Sequence, residues 1–136
     1  TLHGALRGAF NSRARVLEPP YPAKDLPGLL DQTQVGITAA DWGIAETATL
    51  VEVCTNDEVR LVSGLPRTHV GILRASTIVP KFVDAAEPLR KALADHPHNC
   101  MISFISGPSR TGDIEMILTL GVHGPERAHA IVIEDS

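Results

Sequence analysis

The apolar positions change rhythm along the chain. Leu2, Leu6, Ala9 and Phe10 recur at roughly helical spacing ahead of Arg13, which predicts a short amphipathic helix. The run Glu18-Pro19-Pro20-Tyr21-Pro22, with Pro27 soon after, then predicts an extended connector. Beyond it the pattern turns strand-rich. Residues 35–38 and 43–45 read as short strands around the loop Ala39-Ala40-Asp41-Trp42, with Trp42 as a core-filling ring. Residues 49–54 alternate, with Val51 and Val53 against Glu52. Thr55-Asn56-Asp57-Glu58 supplies turn chemistry and residues 59–63 return, which together predict a hairpin. Residues 68–73 form another strand, with His69 as a hydrogen-bonded, half-buried member.

Phe82, Ala86, Leu89 and Leu93 make a helical stripe, with the regular helix starting near Glu87 because Pro88 lacks an amide donor. Residues 100–106 predict a buried strand, and residues 112–120 a helix with Ile114, Ile117 and Leu118 on one face, stopped by Gly121. Residues 128–133 close the series as an apolar strand. The order predicts an α/β domain with a mixed sheet in which the consecutive C-terminal strands run parallel. The domain proper spans residues 35–136, preceded over 1–34 by the helix or arm and its Pro-rich connector.

Composition narrows the function classes. With 136 residues the chain is one domain, and with only five aromatic rings its core is aliphatic. A net charge of −4 offers no general attraction for nucleic acid. No apolar run approaches the roughly 20 residues of a membrane helix. The first seventeen residues carry Arg7, Arg13 and Arg15 without an apolar core, unlike a secretory signal, so a cytoplasmic protein is expected. Cys54 and Cys100 stand far apart, so no disulfide framework, zinc site or iron–sulfur ligation can be read, and no cofactor or metal is assigned to this chain. The run His96-Pro97-His98 lacks a second ligand cluster and is not read as a metal site.

Three segments could carry chemistry. Ser106 to Glu115 runs from a strand through a Gly-containing loop into the expected helix, where Ser109, Arg110, Thr111, Gly112 and Asp113 could hold an anion at the first-turn amides. Equally, Thr111 is a simple N-cap and Asp113 complements the helix dipole. Because Asp113 and Glu115 would repel a dianion at those amides, a carboxylate or hydroxyl-bearing ligand suits the loop better than bare phosphate. Glu46, flanked by Thr47 and Thr49, is a carboxylate that could act as base or nucleophile, or a water-facing turn residue. His123, on a tight loop, is a ligand contact or a surface imidazole.

Taken together, these blocks resemble a known family. Residues 35–50, VGITAADWGIAETATL, are similar to the "GITGADFAIAETGTL" region of the LUD-domain family. Leu65-Pro66-Arg67-Thr68-His69-Val70 and Ile78-Val79-Pro80 are similar to its "LPRVHI" and "IVP" segments. SGPSRTGDIE (106–115) and GVHGPERAHAIVIED (121–135) resemble the lactate-utilisation protein C (LutC/YkgG) branch. The resemblance implies a three-layer α/β fold with a mixed sheet like the NagB/RpiA/CoA-transferase group, here without part of an N-terminal βα portion. It implies a role in bacterial oxidation of L-lactate to pyruvate beside iron–sulfur and cysteine-rich lactate-utilisation proteins, with the clusters in those partners. It leaves a homo-oligomer open. Two other readings stand beside it: a transferase-like enzyme with Glu46 as nucleophile or base on a CoA- or phosphate-containing ligand, and a truncated, inactive domain. Ala48 departs from the family motif, which has Gly there.

Overall fold

A computed structural model describes residues 15–21, 25–108, 110–112, 118–120 and 123–135. The helix expected over residues 2–13 lies outside them. Among the described residues nine strands fall into a parallel sheet, a mixed sheet and a small antiparallel pair, so the fold is mixed α/β.

The parallel sheet has the order β1 (Val35–Ala39), β4 (Thr68–Arg74), β9 (Arg127–Ile133). The mixed sheet has the order β5 (Ile78–Val79), β2 (Trp42–Ile44), β3 (Thr49–Cys54), β6 (Met101–Ile105). Within it, β2 runs parallel to β5, and β3 antiparallel to both β2 and β6. β7 (Arg110–Gly112) and β8 (Leu118–Leu120) pair antiparallel.

Side-chain alternation sorts the faces of the mixed sheet. Trp42, Ile44 and Val51 form the core cluster with Ala85, and Leu89 and Ala92 of helix α3 (Ala86–Asp95) pack onto it. Trp42 thus fills the core as expected. Leu50, Glu52 and Cys54 point the other way, toward the parallel sheet. The approach there is close: a Cβ built on Gly71 of β4 would lie 2.2 Å from Leu50 Cδ1. Helix α2 (Asp57–Gly64) covers the same side, and a Cβ on Gly36 of β1 would lie 2.0 Å from the Val62 carbonyl oxygen. A short helix, α1 (Leu26–Asp31), precedes β1 and buries Leu30.

Four expectations are corrected. Residues 59–63 are helix, not the second arm of a hairpin. Asn56 caps that helix by accepting from the Glu58 amide at 3.0 Å, and Asp57 and Glu58 complement the first-turn dipole, so the presumed turn residues are a helix start. Residues 110–112 and 118–120 are strands rather than parts of one helix, with Arg110 opposite Leu120. A short apolar run such as Leu118-Thr119-Leu120 fits either element, and ladder pairing decides it. The C-terminal strands are not parallel neighbours: β6 joins β3 and β9 joins β4 in another sheet. β9 pairs along its whole length with β4, from Thr68 opposite Arg127 to Arg74 opposite Ile133. Finally, β6 lies at the edge of its sheet, so Met101 and Phe104 are exposed rather than buried.

Helix α3 begins at Ala86, one residue before the expected start, after a 3-10 turn over Phe82–Ala85. Pro88 sits in the first turn, where the missing amide would have had no intrahelical partner. Among the described residues no helix is long and apolar enough to cross a membrane.

Candidate functional site

The turn between β2 and β3 carries Glu46 and Thr47. It is pinned to β5 and the segment after it, because the Ala45 amide donates to the Val79 carbonyl at 2.9 Å and the Glu46 amide to the Pro80 carbonyl at 3.0 Å. The Glu46 carboxylate accepts from the Phe82 amide at 3.0 Å. Ala48 completes the turn at φ +48°, the left-handed conformation that Gly adopts without a Cβ penalty.

From this turn a chain of hydroxyls leads toward a cleft. Thr47 Oγ1 lies 2.7 Å from Thr49 Oγ1, and Thr49 Oγ1 lies 2.6 Å from Ser106 Oγ. Ser106 stands just beyond β6 and lines an open cleft of about 580 Å³ with Arg60, Ser63, Ser103, Arg110 and His123. Helix α2 contributes Arg60 and Ser63, β6 contributes Ser103, β7 contributes Arg110, and the segment leading into β9 contributes His123. Gly107 and Gly124, at φ +112° and +117°, turn the backbone along the rim.

No carboxylate lines the cleft among the described residues, whose polar groups there are guanidinium, imidazole, hydroxyl and backbone. Such a lining suits an anion with hydrogen-bonding groups. Arg60 also pairs with Asp57 at 2.7 Å, an exposed ion pair worth about 0–1 kcal/mol and easily exchanged. Behind the cleft Ser103 Oγ lies 3.7 Å from Cys54 Sγ, and burial pushes that thiol above its ordinary value.

Of the residues singled out from sequence, Arg110 and His123 line the cleft, and Thr47 and Thr49 reach it through Ser106. Glu46 is outside the lining, with its carboxylate on the Phe82 amide. Ser109 and Asp113 lie outside the described residues. The backbone of Thr111 and Gly112 is strand, so Thr111 is not the N-cap of a helix.

Sequence reasoning missed Arg60, Ser63 and Ser103. Once residues 57–64 are read as helix, Arg60 and Ser63 fall on one face by their i, i+3 spacing. It also missed a buried cluster between the sheets. Glu52 of β3 and His69 of β4 are both fully buried, and the Thr38 hydroxyl of β1 donates to Glu52 Oε1. Thr38 Oγ1 lies 2.8 Å from His69 Nε2, and with its own proton given to the carboxylate it is left to accept from that nitrogen. Glu52 Oε2 and His69 Nδ1 have no partner among the described residues. A signal was present: Leu50 and Cys54, on the same strand face as Glu52, are apolar, so that face is buried. Among the described residues no group of three or more His, Cys, Asp or Glu side chains is placed to hold a metal ion.

Comparison with known proteins places this geometry in a family. The family model of the LUD domain matches residues 21–133, which include every residue lining the cleft. Lactate utilization protein C of Halalkalibacterium halodurans is 44% identical over 106 residues, 77% of this chain and 46% of that protein. The uncharacterized protein YkgG of Escherichia coli is 40% identical over 117 residues, 84% of this chain and 51% of that protein. The chain thus spans about half the length of the curated relatives it matches. A crystal structure of a DUF162 family protein from Deinococcus radiodurans shares the fold at a TM-score of 0.59 and 21% identity, covering 97% of this chain and 81% of that one. On this evidence the chain belongs to the LUD domain family.

Proposed function

We propose that this chain is a component of bacterial L-lactate utilisation that works in the cytoplasm beside iron–sulfur and cysteine-rich partner proteins and binds a small carboxylate in the cleft of Arg60, Arg110 and His123. The observation that carries the reading is the match over 21–133 together with relatives of 40–44% identity named lactate utilization protein C or YkgG. Oxidation of L-lactate to pyruvate releases two electrons and two protons. Two cysteines are too few for a four-thiolate cluster, so the reading assigns the electron-accepting clusters to the partners. This chain supplies a cationic, hydroxyl-lined cleft that orients a carboxylate. The reading assigns no step to Glu46, which lies outside the cleft lining.

Deleting the encoding gene from its host tests the role. Growth on L-lactate as sole carbon source is lost while growth on pyruvate persists, and the tagged chain recovers iron–sulfur proteins from lactate-grown cells. Unimpaired growth on lactate, with no such proteins recovered, overturns the reading.

A further inference from the structure

The cleft brings two arginines from separate elements, Arg60 of α2 and Arg110 of β7, into one lining without a carboxylate among the described residues. A guanidinium presents a planar fork that grips a carboxylate or phosphate with two parallel hydrogen bonds, and two such groups carry two positive charges, of which a monocarboxylate balances only one. The volume points the same way. The cleft is open and about 580 Å³ in volume, room for more than a three-carbon acid. Ser63, Ser103 and Ser106 lie in the same lining, where hydroxyls can donate to the middle of a longer molecule. Arg60 is held by Asp57 at 2.7 Å, but both side chains are well exposed, so an incoming anion can replace that partner.

We propose that the cleft takes a small acid with two anionic groups, either two carboxylates or a carboxylate and a phosphate, and that Arg60 and Arg110 each receive one of them. The assignment rests on the carboxylate reading above and deepens it by naming the ligand class and a second recognition residue.

Calorimetric titration of the 136-residue chain with L-lactate, malonate, succinate and phosphoglycolate tests it. At least one diacid binds about tenfold or more tightly than L-lactate, as expected for one additional charged hydrogen-bonding site. Arg60→Gln and Arg110→Gln each bring that diacid down to about the level of L-lactate, and each weakens L-lactate less than it weakens the diacid. Arg60→Lys, which keeps the charge and loses the fork, restores only part of the difference. Malonate and succinate against phosphoglycolate separate the dicarboxylate from the phosphate-bearing class. Circular dichroism confirms that each variant folds, as their exposed positions lead one to expect. If the diacids bind no better than L-lactate, or Arg60→Gln leaves them unchanged, the two-point site is overturned while the carboxylate reading stands. If no acid binds, both fall.

Discussion

Glu52 and His69 belong to different sheets, yet Glu52 Oε1 lies 3.5 Å from His69 Nε2 with both side chains wholly out of water. Thr38 joins them, so three strands, β3, β4 and β1, meet at one polar point inside an apolar layer. Removing one member takes a polar partner from a buried neighbour. His69→Ala is therefore expected to cost roughly 3 kcal/mol, through a cavity and the loss of the imidazole beside a buried carboxylate, and Thr38→Val about 2 kcal/mol. Urea unfolding of both single variants and the double variant measures this. The double variant costs less than the sum of the two, and full additivity would show that the three groups are not one network.

Ala48 holds φ +48° in the turn that places Thr47 and Thr49. An L-residue there costs about 1–2 kcal/mol in the folded state, and the extra chain entropy of Gly returns part of it. Ala48→Gly should stabilise by about 0.5–1 kcal/mol, and Ala48→Val should destabilise, since a branched Cβ fits that region worst. Thermal melts of the two variants must move in opposite directions.

Gly36 and Gly71 share the packed face of the parallel sheet, but different atoms oppose them. A Cβ on Gly36 meets the Val62 carbonyl oxygen at 2.0 Å, which is helix backbone, whereas on Gly71 it meets Leu50 Cδ1 at 2.2 Å, the end of a side chain. Gly36→Ala should cost roughly 3 kcal/mol because α2 must move, and Gly71→Ala about 1 kcal/mol because Leu50 can rotate. Equal losses in denaturant midpoint would contradict this difference.

Asp135 ties the end of β9 to the segment after β4. It accepts from the Ser76 amide at 2.8 Å and from Arg74 Nη1 at 3.2 Å, and the bonds from Ser76, then the Arg74 guanidinium, hold its carboxyl below the ordinary carboxylate range. A lowered folded value means that the contribution is complete above the unfolded carboxylate value, near pH 4, and is lost as pH falls through the lower folded one. The wild-type protein should exceed Asp135→Asn in stability at pH 7, and the gap should close in acid. A gap that stays constant from pH 7 to pH 2.5 would assign the difference to something other than this titration.

Legibility along the chain followed the range of the interactions. Residues 68–73 read as strand because a short apolar run is bounded by Pro66 and Arg74, and that punctuation is visible without a partner. The stripe Ala86, Leu89 and Leu93 likewise marked α3. Residues 59–63 were misread because five apolar-rich residues suit either element, although the deciding signal, Asn56 before Asp57 and Glu58, was local and present. Arg110 and His123 were legible as candidates from their Gly-bordered loops. Arg60 was not, because its relevance depends on a helix that brings it beside residues more than forty positions away.

The order of apolar and polar residues settled the α/β class, most strand positions and the segments around the cleft, since short-range periodicity and turn chemistry act between neighbours. Folding across distance settled the rest. Which sheet β9 joins, how Glu52 comes to lie against His69, and which side chains share a cleft with Arg110 depend on contacts between residues far apart in the chain. Those contacts are selected by the packing of whole faces and by the need to pair buried polar groups, and neither can be evaluated one segment at a time.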